Sequence, residues 1–116
     1  MSDIAYKLVD RAEWEASGDP YAGSAVDRAD GYIHLSTSGQ LAETAARHYR
    51  DRGDLLLVAV DLSVLGETLK LEPSRGGDLF PHIHGVLPHA AVPGLRSLSV
   101  DGEGVMRFDD GAVGWP

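Results

Sequence analysis

The stretch Asp30-Gly31-Tyr32-Ile33-His34-Leu35-Ser36-Thr37-Ser38-Gly39-Gln40 is a strand that runs straight into a helix, and the fold class follows from what flanks it. Gly31 to Ser36 reads as the strand. Thr37 is the expected cap, with Gln40 at the capping-box spacing. Alternation along a strand sends Ile33 and Leu35 to the core and puts Tyr32, His34 and Ser36 on the other face. A helix start carries unpaired N–H groups and a partial positive charge. An imidazole beside it makes a seat for a phosphate, a carboxylate or a nucleotide. A half-buried histidine bonded to backbone is the plainer explanation of the same position.

Upstream, Ile4 to Val9 alternates as a strand. Asp10 can cap a short helix through about Ala16, with Glu13 at the capping-box position. Residues 17–30 then read as a long loop holding Tyr21, Gly23, Ser24 and several aspartates. Loops of this length often serve as lids or binding segments.

Downstream, the helix is expected over Ser38–Arg50, with Gly53 as its C-terminal cap. Leu55 to Val60 is a continuous apolar run, as expected for a central strand buried on both faces. Leu62 to Gly66 reads as a single turn. Thr68 to Glu72 is another strand, then the loop Pro73-Ser74-Arg75-Gly76-Gly77-Asp78. Leu79 to Gly85 is a strand that Pro81 would confine to a sheet edge or a bulge. Leu95 to Val100 and Val105 to Phe108 flank the turn Asp101-Gly102-Glu103-Gly104 as a hairpin. Residues 110–116 read as a loose tail. Two early helices followed mostly by strands indicate an α+β fold. No repeat or linker divides residues 1–116, so a single domain is expected.

The 116 residues carry a net charge of -8 and contain no cysteine. Disulfides and thiolate metal sites are therefore excluded. The acidic balance argues against non-specific binding to nucleic acid or to anionic membranes. It leaves room for a small anionic ligand in a local pocket built from some of Lys7, Lys70, Arg75, Arg96 and Arg107. No signal-peptide pattern is read, and no apolar run approaches the ~20 residues of a membrane span. The expectation is a cytoplasmic protein.

Three groups could carry chemistry. His34, with Ser36 and Thr37 beside it, is the first. Glu72-Pro73-Ser74-Arg75-Gly76-Gly77 is the second: Arg75 offers a fork for phosphate or carboxylate, and the glycines permit close backbone approach. A solvated glycine turn explains this loop equally. Phe80-Pro81-His82-Ile83-His84-Gly85 is the third. His82 and His84 share a strand face and could hold a divalent ion if His34, His89 or Glu72 supplied a third ligand. His48 and His89 look incidental. A serine triad and a paired-carboxylate mechanism find no defined motif here.

The chain resembles the family catalogued as domain of unknown function 952, small bacterial proteins. The residues that carry the likeness are Tyr6-Lys7, Trp14-x-Ala16, Gly18, Tyr21-x-Gly23, the segment Asp30–Ser36 and Gln40. They continue with Asp54-Leu55, Val60-Asp61, Leu71-Glu72, Ser74-Arg75-Gly76-Gly77, Leu79-Phe80-Pro81-His82 and Gly85. His84 departs from the pattern, where an aromatic residue is expected. The resemblance implies a split, mostly antiparallel α+β fold related to ADP-ribosyltransferases, and with it NAD as a cofactor. By that likeness His34 and Ser36 would hold a ribose or phosphate; on the residues themselves, Arg75 would pair with a phosphate, and Tyr21 or Tyr32 would stack on a ring. Thr37 and His82 would complete the binding set. The superfamily's late-strand glutamate has no marked equivalent; Glu72 is the expected acid/base or ribose-orienting group, and Glu103 lies in a turn. The function expected is a cleft protein for a nucleotide-like or other small anionic ligand, acting as a NAD-dependent transferase. The alternatives are a non-catalytic binding or interaction module, and a metal-dependent hydrolase or lyase using His82 and His84.

Overall fold

The computed structural model describes residues 3–115, apart from the side chain of Arg75. Two antiparallel sheets form an α+β domain. The larger has strand order β1-β3-β6-β7, built from β1 (Ile4–Asp10), β3 (Arg52–Asp61), β6 (Gly94–Val100) and β7 (Met106–Phe108). The smaller has order β2-β5-β4, from β2 (Ile33–His34), β5 (Leu79–Ile83) and β4 (Leu69–Pro73). Among the described residues no helix is long and apolar enough to cross a membrane.

The central strand is the apolar run expected from the sequence. β3 lies between β1 and β6, and Leu55, Leu56, Leu57, Val58 and Val60 are all buried. Alternation divides these side chains between two cores. Leu56, Val58 and Val60 pack with Ala5, Val9, Trp14, Ile33 and Ile83, filling the space between the sheets. Leu55 and Leu57 pack with Leu8, Leu98, Met106 and with Leu41 and Ala45 of the following helix on the opposite face. Helix α3 (Ser38–His48) begins where expected, with the Thr37 N–H donating to Gln40 Oε1 at 3.0 Å. The Gln40 Nε2 also donates to the Leu79 carbonyl at 2.8 Å, tying the helix start to β5. The helix ends on Tyr49 rather than at Gly53, which lies inside β3.

Helix α1 (Arg11–Ser17) takes its cap from Asp10, which accepts from the Glu13 N–H at 3.2 Å. The expected loop over residues 17–30 is only partly a loop. Ala25–Asp30 is a helix, α2, with Ser24 and Asp27 forming a reciprocal capping box. The Ser24 N–H donates to Asp27 Oδ2 at 2.9 Å, and the Asp27 N–H to Ser24 Oγ at 3.2 Å. Gly31 closes α2 at φ 90°, a left-handed turn that glycine adopts without strain. The strand expected from Gly31 to Ser36 is therefore shorter. Beyond His34 it continues only as single pairings, including the bridge between Ser36 and Tyr6 that links the two sheets.

Pro81 is expected at an edge or a bulge, yet β5 is the middle strand of its sheet and pairs with β4 in unbroken register through Pro81. It sits opposite Leu71 on one side, and on the other its carbonyl accepts from the Leu35 N–H at 3.0 Å. A proline cannot return the second bond of such a pair. The regular pairing of β2 with β5 stops before it, at His34 with His82. The missing donor thus costs a single bond at the end of a two-residue strand.

The described part of the tail, residues 110–115, is docked rather than loose. Trp115 meets the Tyr6 ring edge-on at 5.0 Å, and its indole N–H donates to the Ser38 carbonyl at 2.9 Å. The Gly114 N–H donates to the Met106 carbonyl at 2.7 Å. Trp115→Ala is expected to lower the unfolding free energy by about 2 kcal/mol, below the ~3–5 kcal/mol of a fully buried aromatic because the ring is half-buried. Urea denaturation of the two proteins checks this.

Candidate functional site

The cleft follows the open edge of β1. Tyr6 spends its outward backbone groups on Ser36, at 2.8 Å each way. The Leu8 carbonyl, on the same edge, accepts from the Tyr49 hydroxyl at 2.9 Å. Here α2, α3 and the polar face of the smaller sheet surround a space of ≈ 930 Å³. Its lining includes Lys7, Tyr21, Asp27, His34, Ser36 and His82. Thr44, Arg47 and His48 reach it from α3, with Arg52 and Ser74 also in its wall. The volume suits a ligand of nucleotide size.

Asp27 organises one wall. It is 2% exposed, and each of its oxygens is used twice. Oδ2 lies 3.0 Å from the Lys7 ammonium, itself 7% exposed, and accepts from the Ser24 N–H. Oδ1 accepts from the His34 ring Nδ1 at 2.6 Å and from the His34 backbone N–H at 3.2 Å. Burial by itself would raise the carboxyl's pKa. The His34 hydrogen bond and the Lys7 charge more than offset that, and hold it well below the usual carboxylate range. The Lys7 ammonium is completed by the His34 carbonyl at 3.1 Å. His34 Nε2 faces Asp30 Oδ2 at 3.0 Å across the rim. The ring is thus oriented from both ends.

The second wall is the polar face of the β2-β5-β4 sheet. His34 and His82 are cross-strand partners, with ring centroids 5.3 Å apart. Tyr32 stacks on His82 at 4.2 Å, nearly parallel. His82 Nδ1 donates to Glu72 Oε1 at 2.9 Å, and His84 Nε2 donates to the same oxygen at 2.6 Å. The His84 and His82 hydrogen bonds hold the Glu72 carboxyl below its ordinary pKa. Two polar atoms in cleft-lining residues are buried without a hydrogen-bond partner among the described residues: Tyr21 Oη and His82 Nε2. Burial, with the Asp27 charge second, pushes the Tyr21 phenol up, so it stays neutral.

The residues expected from the sequence fare differently. His34, Ser36 and His82 come together in the cleft. Ser36 Oγ is paired with Thr44 Oγ1 at 2.9 Å. Thr37 and the start of α3 do not line it. The Thr37 N–H is taken by Gln40 Oε1, and the helix start lies outside the cleft lining, so the expected anion seat is not part of this cleft. The cleft meets α3 further along, at Thr44, Arg47 and His48. His48, read as incidental, is thereby part of the lining. Tyr32 has one ring face committed to His82 and borders a smaller hollow beside the cleft. Tyr21 is not placed to stack on a ligand either, because its ring is in the core against Trp14, 5.0 Å away. Glu72 does not line the cleft and stands behind His82. The Arg75 side chain lies outside the described residues, although its neighbour Ser74 lines the cleft. Of the other expected cations, Arg96 pairs with Asp110 at 3.1 Å and Arg107 with Asp101 at 2.7 Å, away from the cleft.

Sequence reasoning missed Asp27 as the organiser of the site. The available signal was Ser24-x-x-Asp27, a capping box written with aspartate instead of glutamate.

A model of the family described as "protein of unknown function (DUF952)" matches residues 8–95. The chain belongs to this family. The matched span contains Asp27, His34, Ser36, Glu72 and His82. Among solved structures, the DUF952 chain is similar to the crystal structure of protein CC0527 from Caulobacter crescentus. The identity is 45% and the TM-score 0.84, over 90% of this chain and 93% of that one. A solution NMR structure of CC0527 agrees at 45% identity and a TM-score of 0.77, over 89% and 90% of the two chains. A double-mutant crystal structure of CC0527 gives 43% identity and a TM-score of 0.84, over 90% and 93%. No curated protein matches the DUF952 chain.

Proposed function

We propose that the cleft binds a small anionic, nucleotide-like ligand, with Tyr21 Oη donating to it, His82 Nε2 accepting from a ligand hydroxyl, and His34 holding the Asp27 wall in place. The observation that carries this reading is the pair of buried, unpartnered polar atoms, Tyr21 Oη and His82 Nε2, in the wall of a cleft of ≈ 930 Å³. A buried polar group left unbonded costs ~1–3 kcal/mol, and a ligand entering the cleft would supply the missing partners. Lys7, Arg47 and Arg52 in the lining balance Asp10, Glu13 and Asp27, which makes the cleft locally less acidic than a chain whose net charge is -8. The resemblance to ADP-ribosyltransferases implied by the sequence makes NAD and ADP-ribose the first ligands to try, with transfer of an ADP-ribosyl or glycosyl group as the activity.

A non-catalytic binding module is the second reading. It is favoured by Glu72, which meets His82 and His84 rather than the cleft. Incubation with NAD separates the two: nicotinamide release supports the transferase, and binding without release supports the module.

Calorimetric titration with NAD and with ADP-ribose tests the site itself. The expected result is binding of at least one of them, weakened about tenfold or more by His34→Ala, because Asp27 Oδ1 in the cleft wall is left without its ring donor. Tyr21→Phe should leave stability within about 1 kcal/mol of the parent, since the hydroxyl has no protein partner, while weakening binding. No heat with either ligand would count against this reading.

A further inference from the structure

We propose that Glu72, His82 and His84 form a binding site for one divalent transition-metal ion of the zinc type. One ligand atom from each residue lies within 4.8 Å of the other two. The placement follows from strand geometry. His82 and His84 are two apart on one chain, and Glu72 reaches them from the neighbouring strand β4, whose Lys70 is paired with His82. Two imidazole nitrogens and one carboxylate oxygen are a donor set that zinc accepts, with a fourth position left open.

The dimensions permit an ion. Metal–ligand bonds of about 2.0–2.2 Å in a tetrahedron set the ligand atoms ~3.4 Å apart. Glu72 Oε1 now stands 2.9 Å from His82 Nδ1 and 2.6 Å from His84 Nε2. The two nitrogens lie within 4.8 Å of each other, so a withdrawal of the carboxylate by less than about 1 Å, with His84 closing any excess on the third edge, would admit the ion. Glu72 and His84 can make that adjustment, because their side chains are 35% and 34% exposed. His82 supplies the rigid corner: it is 2% exposed and stacked on Tyr32. His34 is close but not a ligand, since both its ring nitrogens face carboxylates, those of Asp27 and Asp30.

Occupation would also reach the cleft, a consequence that rests on the ligand reading above, whereas the metal site does not. Without metal, His82 Nδ1 carries the hydrogen donated to Glu72, and Nε2 is an acceptor. With a metal on Nδ1, the hydrogen of the neutral ring sits on Nε2. The buried, unpartnered atom of His82 then becomes a donor suited to an anion.

The test is titration of chelator-treated full-length protein with Zn²⁺ by calorimetry and with Co²⁺ by visible absorption, in the absence of any nucleotide. The expected result is one equivalent bound, with a raised melting temperature. Glu72→Gln and His84→Ala should each weaken binding about tenfold or more. Both positions are on the surface, so the variants are expected to fold, and circular dichroism confirms it. His34→Ala and His48→Ala should retain the metal, so loss of nucleotide binding in His34→Ala is read independently. Absence of binding, or binding unchanged in both Glu72→Gln and His84→Ala, overturns the site and leaves a hydrogen-bonded cluster only.

Discussion

Asp27→Ala lowers the unfolding free energy by about 3–5 kcal/mol at neutral pH, the expected cost of stranding one member of a buried ion pair. The stranded group is Lys7, 7% exposed and 3.0 Å from Asp27 Oδ2. The same change leaves the His34 ring Nδ1 and the Ser24 N–H without their acceptor. The cost comes from the unpaired charge more than from the loss of the pair. Lys7→Met combined with Asp27→Leu should therefore recover most of the stability while abolishing the orientation of His34. Because the Asp27 carboxyl is held below its ordinary pKa, its contribution is complete above about pH 4, the range of an unfolded carboxyl. It drains away as the pH falls below that, toward the folded-state value. Urea titrations at pH 7 and pH 3 should show the gap between the parent and Asp27→Ala narrowing in acid. A gap of equal size at both values would mean that the carboxylate charge is not the cause.

Gly23→Ala should cost on the order of 3 kcal/mol, and for two separate reasons. Gly23 sits at φ +99°, a backbone conformation that L side chains rarely adopt. An added Cβ would also lie 2.8 Å from Asp27 Cβ and 3.3 Å from Ile33 Cγ1. Both neighbours are buried, so neither can swing away into solvent. Relief can come only by shifting the start of α2, which would pull Asp27 from Lys7 and His34. The expected signature is a joint loss of stability and of ligand affinity, read by denaturation and calorimetry on one preparation. Gly18→Ala is the control: it too has a positive φ, of 68°, but nothing lies within 4 Å of its added Cβ. It should show backbone strain without disturbing the site. Equal losses of ligand affinity in the two variants would disprove the coupling through Asp27.

Much of the architecture was legible in local pattern. The apolar run Leu55–Val60 could only be a strand covered on both sides, and it is the strand between β1 and β6. The Thr37–Gln40 spacing marked the start of α3, and the Asp101–Gly104 turn marked the hairpin that pairs Val100 with Met106. These features depend on neighbours in sequence, where propensity, capping and turn chemistry act. Helix α2 was hidden because its six residues, Ala25-Val26-Asp27-Arg28-Ala29-Asp30, are too few to display a helical period. Its aspartates looked like loop composition, although one of them caps the helix and is buried. Pro81 misled for a different reason. A proline forbids one hydrogen bond, and whether that bond is wanted depends on the length of the neighbouring strand.

The site divides in the same way. Alternation alone put His34 and Ser36 off the core face, and His82 on one face of its strand with His84. Which partners those side chains would meet depended on distant elements. Lys7 joins Asp27 because β1 passes beside α2. His34 faces His82 because β2 pairs with β5 in that register. Glu72 turns to His82 and His84 because β4 pairs with the other edge of β5. Periodicity and capping are one-dimensional and can be read along the chain. Strand order and register are contacts between segments far apart in it, so the buried ion pair, the cleft and the histidine–carboxylate cluster exist only once the two sheets have packed.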